Sequence, residues 1–262
     1  MPEQNFRRWA LPAATVVLAI LGAGALAAAA FPVILDPEAS SVPVHTAGPT
    51  PVRTADAATP APAATSAESD ENSTVPVSER ADPAWVARTA SAASIPERAL
   101  AAYAGAALAV ADTSPDCGLG WNTIAAIGLI ETEHGTMQDA SIRPDGTTAP
   151  TIIGIPLNGD GVGEVRDTDH GVLDGDLTWD RAVGPMQFIP ETWVEYAQDG
   201  NHDGARDINQ IDDAALTTAV YLCTAGDLTQ PANWIAAIDA YNPSLEYNNR
   251  VAAAAEHYGT LR

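Results

Sequence analysis

The chain has 262 residues, with 12 basic against 34 acidic side chains and a formal net charge of −22. Such a charge repels phosphate backbones, and no basic stripe exists to release their counterions, so nucleic acid is excluded as a partner. The five histidines are scattered, with no two at catalytic-zinc spacing, and the two cysteines form no short metal-ligand motif, which argues against a zinc centre.

The first element is apolar. Arg7 and Arg8 precede an uncharged stretch from Trp9 to Leu35, longer than the roughly 20 residues that one bilayer crossing needs. Asp36 and Glu38 follow it, and positive charge before the span with acid after it puts the remainder outside. Residues 1–35 therefore read as a transmembrane signal-anchor in the cytoplasmic membrane, single-pass, with the bulk of the chain extracytoplasmic. The alternative is secretion after signal cleavage near Ala25-Leu26-Ala27, although the apolar run continues to Leu35 beyond those small residues. Residues 36–82 are rich in Pro, Ala, Thr and Ser and have little to bury, so they read as a disordered linker whose role is reach.

Residues 83–262 are enough for one core. They hold 8 basic and 25 acidic residues, a net charge of −17. Capping residues, prolines in first turns and apolar periodicity predict helices over 83–92, 94–111, 122–134, 190–197, 212–225, 231–241 and 244–257. No sustained two-residue alternation competes, so strands should be few and short. The stretch from 134 to 181 is rich in Gly, Asp, Thr and Pro and longer than an ordinary connection, which suits a loop that carries function or lines a cleft.

Within the 122–134 helix, Glu131 continues the stripe of Ile124 and Ile127 at helical spacing. An acid on an inward face is desolvated, its pKa rises, and it becomes a proton donor near neutrality. Glu133 falls on another side and should be solvated. In an oxidising compartment Cys117 and Cys223 should pair, joining the start of this helix to a later one; two buried free thiols are the alternative reading.

Three segments then occur in order: Ile127-Gly-Leu-Ile-Glu131-Thr-Glu-His-Gly135, Arg181-Ala-Val-Gly-Pro-Met-Gln-Phe-Ile-Pro190 and Ala237-Ile-Asp-Ala-Tyr-Asn242. In this order they resemble soluble-lytic-transglycosylase-like domains, and among them the membrane-bound lytic murein transglycosylase B type in its actinobacterial form, over residues 94–258. The resemblance implies a mainly α, lysozyme-like helical domain with long irregular loops, preceded here by one transmembrane helix and a disordered linker. It implies cleavage of peptidoglycan glycan strands between N-acetylmuramic acid and N-acetylglucosamine with a 1,6-anhydromuramoyl product. Glu131 matches the catalytic acid, with Thr132 where Ser is common. Gln187 matches a substrate-binding position, Tyr241 a partner of the carboxyl or the substrate, and Asn242 the corner beside it; Met186 and Tyr247 are further cleft candidates. No cofactor is implied for catalysis, and a monomer is expected.

Two acidic segments remain. Asp199, Asn201, Asp203 and Asp207 stand at positions 1, 3, 5 and 9 of a calcium loop, with Gly204 at 6 and Ala205 at 7. Gln210 occupies position 12 where a bidentate Glu is usual; Asp212 and Asp213 lie just beyond and could substitute or cap the next helix. A structural Ca2+ is the expectation there, as related family B enzymes carry a calcium loop in a comparable place. The run from Asp167 to Asp176 also invites a metal reading, but it lacks flanking helices and regular ligand spacing and reads first as a charged surface or cleft-rim loop. Two competing functions stay open: a hydrolytic muramidase using Asp174 or Asp176 to activate water, and a non-catalytic, calcium-stabilised wall-binding module.

Overall fold

The computed structural model describes residues 75–160 and 162–261. The expected transmembrane segment and residues 36–74 of the expected linker lie outside the described residues. Among the described residues no helix is long and apolar enough to cross a membrane. Residues 75–82, linker-like in composition, carry the 3-10 turn Val77–Glu79, and Val77 is buried.

Among the described residues seven α-helices follow: α1 Pro83–Ala93, α2 Glu97–Thr113, α3 Trp121–Thr132, α4 Pro190–Tyr196, α5 Ile211–Cys223, α6 Pro231–Tyr241 and α7 Leu245–Gly259. Their starts follow local chemistry. Asp82 accepts the Trp85 N–H ahead of Pro83, and Ser244 accepts the Tyr247 N–H, each satisfying a donor that the first turn leaves free. Gln210 caps α5 through its side-chain oxygen, which accepts from the N–H groups of Asp212 and Asp213.

Helices α2 and α3 form the centre. Along α2 the buried residues are mostly alanine, which lets α5 and the 3-10 turn approach closely, and α3 is buried from Trp121 to Gly128. Ile124 and Ile127 are completely buried, each contributing about 2 kcal/mol of apolar transfer. α3 lies along α7, where the Asn122 amide donates to the Ala255 carbonyl at 3.0 Å, and Trp234 of α6 donates its indole N–H to Thr123 at 3.1 Å.

The long connection between α3 and α4 holds the only strands among the described residues. β1 Ser141–Ile142 pairs antiparallel with β2 Thr148–Ala149, and β3 Ile153–Pro156 pairs antiparallel with β4 Arg181–Val183 through an irregular register. The helix predicted to 134 stops earlier. α3 ends at Thr132 because Glu133 and His134 both turn left-handed, with φ of +51° and +61°, and the His134 N–H returns to the Gly128 carbonyl at 2.9 Å in a Schellman-type stop.

Cys117 and Cys223 form a disulfide that joins the loop before α3 to the last residue of α5, a sequence separation of 106. Closing so long a loop restricts the unfolded chain. Replacing both cysteines with serine should lower the unfolding free energy by about 4 kcal/mol, measured from urea denaturation curves.

Candidate active site

Glu131 sits one residue from the end of α3, half-buried, while Glu133 is exposed. Burial is the main influence on its carboxyl and pushes the pKa up to about 7; the Tyr247 hydrogen bond and the Arg250 charge act in the opposite sense. The Tyr247 phenol donates to Glu131 Oε1 at 2.6 Å. That contact crosses 116 residues of sequence, since Tyr247 lies in the first turn of α7. Burial and the neighbouring Glu131 charge hold the Tyr247 phenol far above its ordinary range, so it remains a donor. Arg250 follows Tyr247 by about one helical turn and is exposed.

Tyr241, expected to partner this carboxyl or the substrate, donates to the Met186 carbonyl at 2.7 Å and makes no hydrogen bond to Glu131. It still feels Glu131 electrostatically, and burial first, then that charge, raises its pKa strongly. Met186 is completely buried. Its side chain therefore backs the site and does not face a ligand, and its carbonyl is occupied by Tyr241. Asn242 caps α6, and its side-chain oxygen accepts the Ser244 N–H at 3.1 Å, which shapes the corner into α7.

Gln187 projects from a tight turn. Val183 and Phe188 exchange backbone hydrogen bonds at 2.8 and 3.1 Å, and the Gln187 N–H reaches the Gly184 carbonyl at 3.2 Å. This turn needs glycine at 184, because φ there is +80° and a Cβ would lie 2.0 Å from the Ile208 carbonyl oxygen. Gln187 itself is left-handed, with φ of +49°, a conformation that costs a non-glycine residue about 1 kcal/mol or more. Its amide donates to the Gly184 carbonyl at 3.0 Å. Gln187, Phe188, Tyr221 and Tyr241 line a cavity of about 120 Å³. A larger cavity of about 680 Å³ lies elsewhere, between the 3-10 turn, α1 and α2, and includes none of these groups.

Several further contacts brace the site. Thr132 donates its hydroxyl to the Pro185 carbonyl at 2.6 Å and accepts the Gly135 N–H at 2.8 Å, clamping the end of α3 to the Gln187 turn. Tyr103 of α2 presses its hydroxyl against Gly128, where a Cβ would come within 2.2 Å of it. His134, just past the end of α3, is buried between Tyr103 at 3.4 Å and Tyr258 at 3.0 Å. The residue types gave no warning, because these contacts join α2, α3 and α7, whose mutual register no local pattern encodes.

The acidic segments are placed as follows. Asp199 accepts from the N–H groups of Asp203 and Gly204, Asn201 contacts Asp203, and Asp203 accepts from Ala205. Gln210 is turned away as the α5 cap. Asp212 pairs bidentately with Arg98 at 2.7 and 2.6 Å. Asp213 accepts N–H groups from Gly200, Asn201 and Asp207; burial raises its pKa to about 6 against these bonds. The oxygen donors at 199–207 thus fit a calcium loop in part, with no carboxylate standing free at its closing position. Asp174 and Asp176 are engaged within the insert: Asp174 accepts the Arg181 N–H at 2.7 Å, and Asp176 pairs with the Arg181 guanidinium at 2.9 Å.

Two outcomes follow from the titrations. Tyr247→Phe removes a bond that favours the charged carboxylate, so the Glu131 pKa should rise above about 7, as followed by NMR of its carboxyl carbon. His134 has a pKa lowered by burial from 6.5 to about 4. A depressed folded pKa means the unfolded chain takes up the proton first, so stability present above pH 6.5 is lost as pH falls towards 4. The loss should reach about 3 kcal/mol, and His134→Gln should flatten that segment of the stability curve.

Compared with known proteins, residues 174–242 match the family model described as Transglycosylase SLT domain, about a quarter of the chain. No curated protein and no solved structure matches. The matched segment includes Gln187, Tyr241 and Asn242 but begins after Glu131. With the helical fold it supports a lytic-transglycosylase-like domain.

Proposed function

We propose that the chain is a lytic transglycosylase that cleaves peptidoglycan between N-acetylmuramic acid and N-acetylglucosamine and leaves a 1,6-anhydromuramoyl end. The observation that carries this reading is the Glu131 carboxyl, pushed by burial to about 7 while Tyr247 fixes its position. A carboxylic acid so poised is protonated in part at neutral pH and can both give and take a proton. The match to a transglycosylase domain over the adjoining segment supports the substrate class.

In the first step Glu131 protonates the glycosidic oxygen, the bond from muramoyl C1 to that oxygen breaks, and the leaving sugar departs as its alcohol. The electron-poor C1 is relieved by the substrate's own acetamide oxygen. In the second step the muramoyl 6-hydroxyl bonds to C1, the acetamide is released, and the hydroxyl proton returns to Glu131. Water is not consumed. Tyr247, Arg250 and Tyr241 are the groups coupled to the Glu131 carboxyl. Gln187 and Tyr241 would border the sugar, and Asn242 would hold the corner between α6 and α7.

On this reading residues 1–35 tether a monomer to the cytoplasmic membrane with its catalytic domain outside. The apolar run from Trp9 to Leu35 supports that location. A structural Ca2+ at Asp199, Asn201, Asp203, the Ala205 carbonyl and Asp207 belongs to the same proposal. It is supported by the oxygen spacing and by Gly204 at φ +89°.

Glu131→Gln should abolish release of anhydromuropeptides from purified sacculi while leaving the circular dichroism unchanged, and parental activity should fall as pH rises through about 7. Mass spectrometry of the products is decisive: ends one water heavier than the anhydro form would mean hydrolysis, and wild-type activity in the variant would sink the assignment.

A further inference from the structure

The connection between β3 and β4 contains Asp167, Asp169 and, just before β4, Asp180. One carboxylate oxygen from each lies within 4.8 Å of the others. Asp180 is completely buried, and its oxygens accept from the Thr168 N–H at 2.9 Å and the Thr168 hydroxyl at 2.7 Å, both neutral donors. Asp169 Oδ2 accepts the Leu173 N–H at 2.7 Å. Its Oδ1 is buried with no hydrogen-bond donor at all.

Three converging carboxylates, one shut away from water and another with an orphaned oxygen, are strongly unfavourable unless positive charge compensates them. The donors that reach them are backbone N–H groups and the Thr168 hydroxyl, all neutral. Among the described residues no ion pair reaches any of the three. The two nearby guanidinium groups are spent elsewhere: Arg166 stacks over the Trp179 ring at 3.8 Å and faces Glu164. Arg181 pairs with Asp176 and donates to the Gly154 carbonyl.

We propose that Asp167, Asp169 and Asp180 hold a calcium ion. All donors are hard oxygens on an irregular loop, which suits the large, adaptable shell of Ca2+ better than the strict octahedron of Mg2+. Spacing alone hides this site, because Asp180 joins the other two from eleven residues beyond Asp169. The site is separate from the 199–207 loop and does not depend on the proposed reaction. Its ion would fix the connection to the start of β4, which runs directly into the Gln187 turn.

Trp179 adjoins Asp180, so terbium(III), an oxygen-seeking analogue of calcium, should emit when excited through that indole. With the full-length protein we expect sensitised emission that added calcium competes away. Asp169→Asn should weaken terbium binding by about tenfold or more, whereas Asp203→Asn in the other acidic loop should leave the emission in place. In an Asp203→Asn background, which silences the other acidic loop, Trp179→Phe should remove the emission, yet calcium should still raise the melting temperature, and adding Asp169→Asn should abolish that increment. Emission unaffected by Asp169→Asn, or lost in Asp203→Asn alone, would overturn the proposal. So would a calcium-dependent melting temperature that ignores Asp169.

Discussion

The hydrogen bond from Tyr247 to Glu131 is the constraint on which the rest of the site depends. It joins the end of the most buried helix to the start of the last one, and it does two opposed things. The tyrosine packs over the carboxyl and, with its surroundings, removes water, which raises the pKa. Its hydroxyl meanwhile stabilises the charged form and limits the rise. The balance leaves the acid near 7. Much of the core serves this contact: α3 is held against α7 by Asn122, and the far end of α7 is braced on His134 through Tyr258.

The second half of the site is fastened differently. Gln187 sits on a turn whose strained backbone is fixed by Gly184, by Thr132 from α3 and by Tyr241 from α6. Tyr241 reaches the turn through a backbone carbonyl, so the cleft wall and the end of α6 are coupled through the main chain at 186. The buried Met186 then serves as packing beneath that junction.

Much of this organisation was legible in the residues. The helices came close to their predicted bounds because caps and first-turn prolines are local signals, and the isolated acid at 131 was visible because it interrupts an apolar stripe. The cysteine pair followed from compartment and count. What could not be read was register between helices. The motif pointed to Tyr241 and left Tyr247 only a cleft candidate, and the packing of α7 on α3 decides that Tyr247 touches the carboxyl. The end of α3 was misjudged because two ordinary residues, Glu133 and His134, take left-handed conformations ahead of Gly135. The acidic run after 167 looked like solvated rim because the carboxylate that completes the cluster arrives later, from the buried edge of β4.

The 116 residues separating Glu131 from its tyrosine have a consequence for biosynthesis. A chain synthesised from its N-terminus presents the acid long before α7 exists to cover it. Until the final helix docks, that side chain is an ordinary hydrated acid, fully ionised at neutral pH and unable to donate. The raised pKa is therefore a property of the completed fold, gained only when the last helix has docked on α3.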